Sequence, residues 1–171
     1  TKKTGQQPVF VEHTSMTDAD RDLMVSDVSL AVLGVEARLK TRVPSVILVG
    51  SDYGATVAVR AASQVPRLVG LALISPGAKL KNTDIYASSA GIVGKHLLAI
   101  SAANDNVSND VASALSRMAK DLGRFTTLDG NAHGARALSV QNVKLWPTLT
   151  DWLDTVLQYQ KLNSNPEVPA P

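Results

Sequence analysis

Three apolar runs, VILVG (46–50), LVGLALIS (68–75) and HLLAIS (96–101), constrain the fold of this chain more than any other feature. Each is apolar at successive positions rather than alternate ones, the pattern of a strand covered on both faces. Between them lie stretches long enough for crossover helices. The expected architecture is therefore α/β: a mostly parallel sheet with right-handed connections and helices on both faces. Two shorter runs, PVFVEH (8–13) and RFTTLD (124–129), bring the expected sheet to about five strands.

The helices follow from spacing and caps. Thr17 with Asp20 three residues later offers an N-cap, and Met24, Val28, Ala31, Val32, Val35 and Leu39 recur at intervals of three and four, predicting one inward face before Pro44 forces an extended chain. A second helix follows VILVG and carries Gly54, Ala55, Ala58, Ala61 and Ala62, small enough to lie close to the sheet. Ser108 is the expected cap of a third, with Val111, Leu115, Met118 and Leu122 inward and Gly123 as its stop. The last helix starts near Pro147 and buries Leu149, Trp152, Leu153 and Val156. At 171 residues the chain suits one domain, expected over 1–162, with the proline-rich end NSNPEVPAP (163–171) predicted as a disordered tail.

Composition removes several function classes. No apolar run approaches the roughly 20 residues of a membrane-spanning helix. A formal net charge of +2, with Lys and Arg dispersed and aromatics at 4%, lacks the basic, aromatic-studded face of a nucleic-acid binder. There is no cysteine, which excludes disulfides and thiolate chemistry but leaves the compartment open. Three widely spaced histidines make no metal-ligand pattern, and no cofactor motif is present. The start, TKKTGQQP, holds neither an initiator Met nor the apolar core of a signal peptide, and reads as a chain whose true N-terminus has been removed.

Ligands in parallel sheets bind at the carboxyl ends of the strands, and three residues fall there. Gly50-Ser51-Asp52-Tyr53-Gly54 has the glycine spacing of a nucleophile elbow, G-x-S-x-G, with Asp52 in the serine's place. Asp105 lies just past HLLAIS, and His133 lies in GNAHG just past RFTTLD. Elbow residue, acid, then histidine is the chain order of a known hydrolytic triad. Asp110 and Asp129 are weaker acid candidates, while His96 reads as structural, His13 as a solvated strand-end residue, and Trp146 and Trp152 as core or lid contacts. Asp52 also admits a bland reading, a carboxylate favoured by a helix N-terminus and paired with His133.

The phrases VILVGSDYGATVAV, LVGLALISPG, HLLAISAAND and GNAHG make residues 45–160 resemble the second half of a small, capless α/β-hydrolase of the esterase or dienelactone-hydrolase kind. The resemblance implies a truncated α/β-hydrolase fold with Asp52, Asp105 and His133 at the nucleophile, acid and base positions. It implies backbone oxyanion donors at Tyr53 and, as a substitute for a missing upstream loop, Thr14. GSDYGA is similar to the elbow of haloalkane dehalogenases and epoxide hydrolases, where aspartate attacks an alkyl carbon. The implied function is a hydrolase acting on a small ester, halide or epoxide; the alternative is a non-catalytic homologue serving as a binding or structural subunit. Because the family's upstream strands are missing, either PVFVEH, a protein partner or a second copy is expected to cover the edge of VILVG.

Overall fold

The computed structural model describes residues 17–77, 79–80, 83–138 and 144–164. PVFVEH and Thr14 lie outside them, as do residues 165–171. Helix α1 (Asp18–Leu39) leads to strand β1 (Val46–Ser51), helix α2 (Tyr53–Ala61) and strand β2 (Leu68–Ile74). A two-residue hairpin, β3 (Lys79–Leu80) with β4 (Thr83–Asp84), and a 3-10 turn over Tyr86–Ile92 precede strand β5 (His96–Ala102). Helix α3 (Asn106–Met118), strand β6 (Gly123–Leu128), a 3-10 turn (Gly134–Leu138) and helix α4 (Leu145–Ser164) complete the order.

The four long strands form one parallel sheet in the order β1-β2-β5-β6. This is the expected α/β sheet, with four strands rather than about five among the described residues. The two inner strands are the most apolar, and every residue of β5 is buried. α1, α2 and α3 cover one face through Val25, Val59, Leu71, Leu97 and Leu115; α4 covers the other through Leu149, Trp152 and Val156. No helix of the described residues is long and apolar enough to cross a membrane.

Three local expectations need correction. VILVG, expected to be covered on both faces, is instead the sheet's edge among the described residues, and its Val49 is 55% exposed. On α1, Met24, Val28 and Val32 are partly buried against the core, but Ala31, Val35 and Leu39 are exposed and Val25 is the buried residue. The helix rests on α2 while its β1-facing side looks out over a groove, so a spacing that marks a stripe does not say what covers it. The third helix begins at Asn106, and its cap is Asp105, whose side chain accepts the Ser108 amide at 3.2 Å. Both residues suit an N-cap; the earlier one takes the role because its loop turns directly out of β5.

The capping box on α1 forms as expected, with Asp20 N–H donating to Thr17 Oγ1 at 3.2 Å and Thr17 N–H to Asp20 Oδ2 at 2.8 Å. At the other end, Glu36 pairs with Arg67 and accepts the Val43 amide at 2.9 Å, while Arg67 Nε donates to the Val43 carbonyl at 2.8 Å. This cluster fastens the end of α1, the loop into β1 and the start of β2. His96 opens β5 as a buried residue and sets its ring edge-on to Tyr159 at 4.7 Å, a structural role as expected. Trp146 is 46% exposed, whereas Trp152 lies in the core.

Candidate active site

β1 turns into α2 with almost no loop, which forces the intervening residue out of ordinary backbone space. That residue is Asp52, at φ 51° and ψ −113°. A non-glycine residue in this region is strained and persists only where the surroundings hold it. Here Asp52 N–H donates to the Ile74 carbonyl at 2.8 Å, continuing the β1–β2 ladder, and its own carbonyl accepts Ala55 N–H at 3.1 Å, beginning α2. The turn also requires close approach. A Cβ on Gly50 would stand 2.4 Å from the Gly54 carbonyl oxygen, whereas one on Gly54 would meet nothing within 4 Å. Of the two glycines in the motif only Gly50 is sterically obliged. Gly50→Ala is expected to destabilise the fold by about 2–4 kcal/mol, while Gly54→Ala, in a helix, is expected to be neutral or stabilising by up to ~1 kcal/mol. Chemical denaturation of the two variants measures both.

The Asp52 carboxylate makes no bond to the amides of α2. Its Oδ1 instead stands 3.3 Å from His133 Nε2. The other ring nitrogen, Nδ1, lies 2.5 Å from Asp105 Oδ2. Asp105 therefore uses one oxygen to cap α3 and the other to hold the imidazole. Its loop is braced by Asn109, which donates to the Ala103 carbonyl at 3.1 Å and bonds Ser101 through its oxygen. Asp52, Asp105 and His133 thus meet at the carboxyl edge of the sheet, on the loops after β1, β5 and β6. Asp129 pairs with Lys144 at 2.6 Å and Asp110 is exposed on α3, so neither belongs to this cluster. Tyr53 stands at the head of α2, beside the elbow.

Two residues that the motif reading passed over shape the same edge. Gly134 follows His133 with φ +58°, and a Cβ there would stand 3.1 Å from the Asp52 Cβ. Ser75, at the end of β2, is fully buried with φ +49° and a hydroxyl without a hydrogen-bond partner. The glycine after the histidine is visible in GNAHG; nothing in the apolar run before Ser75 signals its strain.

Charge explains the protonation of the cluster. The hydrogen bond to Asp105 raises the pKa of His133 above its ordinary 6.5; burial opposes this, and Asp52 adds a further, smaller rise. Burial alone would lift the Asp105 carboxyl, but the bonds from His133 and Ser108 outweigh it and hold the group below its ordinary 3.8. The histidine's contribution to stability is complete below 6.5 and fades as pH rises through its folded value. The aspartate's is complete above 3.8 and fades as pH falls through its folded value. Both are present between those limits, and half-exposure of His133 keeps them modest through solvent screening. In a proton NMR titration, His133 is expected to titrate above 6.5; Asp105→Asn should lower its midpoint more than Asp52→Asn does. An unmoved midpoint in Asp105→Asn would contradict the assignment.

No family model matches the chain, and no curated protein matches it. Among solved structures it is similar to an esterase of Pyrococcus furiosus, with a TM-score of 0.64 at 15% identity, over 78% of this chain and 62% of the esterase chain. The match thus spans less than two thirds of that esterase's length. At this identity the likeness is one of fold alone: a parallel α/β sheet with helices on its faces.

Proposed function

We propose that this chain is a hydrolase in which Asp52 is the nucleophile, His133 the base and Asp105 the residue that orients the imidazole, acting on a small alkyl halide or epoxide. The observation that carries this reading is the strained Asp52, whose carboxylate leaves its own helix uncapped and faces His133 Nε2 at 3.3 Å. A carboxylate needs no deprotonation to attack. One of its oxygens bonds to the substrate's alkyl carbon, and the carbon–halogen bond breaks with its electron pair leaving on the halide. With an epoxide the ring carbon–oxygen bond breaks instead, and the alkoxide takes a proton from solvent water.

The ester that forms has no charge, so the part of the His133 pKa rise owed to Asp52 disappears. His133 then loses its proton from Nε2 more readily while Nδ1–H donates to Asp105. The freed Nε2 accepts a proton from water, whose oxygen attacks Cγ of Asp52. The alcohol departs with the original carboxylate oxygen, and the aspartate is restored with one oxygen from water. Negative charge on the carbonyl oxygen in this step calls for backbone donors, for which Tyr53 and Thr14 are the proposed residues.

Acyl esters are poor substrates in this scheme, since attack on them by a carboxylate gives an anhydride. Product release from an alkyl bromide, an epoxide and an aryl acetate tests the substrate class. Turnover of one of the first two, falling about 10³-fold or more in Asp52→Asn, is the expected result. Acetate hydrolysis indifferent to Asp52→Asn would contradict it. A second reading, a non-catalytic homologue acting as a binding or structural subunit, draws on exposure: the Asp52 and His133 side chains are 58% and 48% exposed. A carboxylate that well hydrated is a weak nucleophile, and the cluster then serves as an ion-pair network. Its signature is a folded protein with no turnover of any of the three probes.

A further inference from the structure

β5 pairs with β6 as far as Ala102, opposite Leu128, and the chain then turns into α3 through Ala103, Asn104 and Asp105. That short turn carries Asp105 to His133. Its backbone is tied to the histidine's own loop at two places: Ala103 N–H donates to the Leu128 carbonyl at 2.7 Å and Asn104 N–H to the Gly130 carbonyl at 3.0 Å. Asp105 N–H donates to the Ala102 carbonyl at 3.0 Å. The Ala103 carbonyl lies past the last paired residue of the strand, and it is met by a side chain: Asn109 Nδ2 donates to it at 3.1 Å. A carbonyl can only accept, so the nitrogen of this amide must face Ala103 and its oxygen must face Ser101, whose hydroxyl then donates. Ser101 is 1% exposed within β5, a fixed anchor. Asn109 N–H also donates to the Asp105 carbonyl at 2.9 Å, so one residue grips the turn at both ends.

We infer that Asn109 is a positioning residue of the cluster, acting through Asp105: with Ser101 as its anchor, it holds the turn after β5 where Asp105 Oδ2 meets His133 Nδ1. The helix cap alone cannot do this. Asp105 Oδ1 accepts the Ser108 amide at 3.2 Å, which fixes one oxygen and leaves the carboxylate free to swing about it; the backbone of the turn decides where the second oxygen goes. The tolerance is narrow, since Oδ2 lies 2.5 Å from Nδ1 and a slip of about 1 Å carries the pair to the limit of a hydrogen bond. The catalytic meaning of this inference rests on the hydrolase reading above. In that reading Nε2 acts as a base while Nδ1–H faces a carboxylate, and a misplacement of about 1 Å costs on the order of 10²-fold in rate.

Proton NMR titration of His133 in the full chain, joined to single-turnover kinetics, tests the role. Asn109→Leu removes both side-chain bonds at similar volume, and Ser101→Ala breaks only the bond to the anchor. Asn109→Leu is expected to lower the His133 midpoint by most of the amount that Asp105→Asn does, and Ser101→Ala by less. In the Asp105→Asn background Asn109→Leu should lower it no further, which separates action through Asp105 from a general loosening of the fold. With an alkyl bromide as probe, hydrolysis of the Asp52 ester should slow about 10- to 100-fold in Asn109→Leu while its formation keeps its rate. An unmoved midpoint in Asn109→Leu would overturn the inference, as would an equal fall with and without the Asp105 carboxylate. Should circular dichroism show Asn109→Leu unfolded, Ser101→Ala decides: a lowered midpoint supports the role and an unchanged one overturns it. The titration needs no substrate, so a lowered midpoint in a protein that turns over no probe supports the role of Asn109 and counts against the hydrolase reading instead.

Discussion

His133→Ala is expected to stop the reaction half-way, leaving the alkyl group of the substrate esterified to Asp52 in stoichiometric amount. Attack by the carboxylate needs no base, so the first step survives the loss of the imidazole. Hydrolysis of the ester needs a proton removed from water, and the base placed to remove it is His133 Nε2, 3.3 Å from the Asp52 carboxylate. General-base catalysis contributes about 10²–10⁴-fold, so steady turnover should fall by that factor while the intact mass rises by one alkyl group. Asp52→Ala in the same background should abolish the mass increase. Asp105→Asn should slow the second step without trapping it fully, because the imidazole remains but loses the carboxylate that holds Nδ1–H. A His133→Ala protein that turns over normally, or that gains mass at a residue other than Asp52, would contradict the assignment of roles.

The largest stability effect is expected at Trp152. Among the described residues α4 is the α-helix that covers its face of the sheet, and Trp152 is one of the residues it buries there. The indole is 3% exposed, with Cη2 and Cζ2 at 3.1 and 3.2 Å from where a Cβ on Gly70 would stand. The absent side chain at Gly70 is thus the socket for the ring. Trp152→Ala removes a large apolar group from a site that rigid strands β2 and β5 cannot close, and is expected to lower stability by about 3–5 kcal/mol. Against a typical total of roughly 5–15 kcal/mol, that loss is a substantial part of the fold. Trp146→Ala, at a position 46% exposed, is the control and should change stability by about 0.5 kcal/mol or less. Urea denaturation followed by far-ultraviolet circular dichroism measures both. A Trp152→Ala loss below ~1 kcal/mol would show that α4 is held by its other contacts.

Much of the fold was legible because buried parallel strands announce themselves as continuous apolar runs. VILVG, LVGLALIS and HLLAIS became β1, β2 and β5 within one residue at each end, and the glycine-flanked Asp52 emerged on the strained turn its spacing implies. Ranking β1 among its neighbours was beyond such reading: an apolar strand reports that its faces can be covered, and says nothing of whether both sides of its backbone are paired. The same limit applies to α1, where apolar residues lie on nearly all sides and the choice of Val25 over Val35 as the buried one depends on where α2 sits. At the site, residue types and chain order indicated Asp52, Asp105 and His133. That Asp105 caps α3 with one oxygen and holds His133 with the other, and that Gly134 clears the space beside Asp52, depends on distances that spacing does not encode.

The account's central claim is that Asp52 becomes covalently bonded to substrate, and a single turnover in heavy-oxygen water tests it most directly. With enzyme in excess over an alkyl bromide or epoxide, the product of the first turnover should carry ordinary oxygen, taken from the Asp52 carboxylate. The heavy oxygen should appear in the peptide containing Asp52, and in no other. Heavy oxygen in the product of that first turnover, with an unlabelled Asp52 peptide, would mean that water attacks the substrate directly and that the carboxylate is no nucleophile.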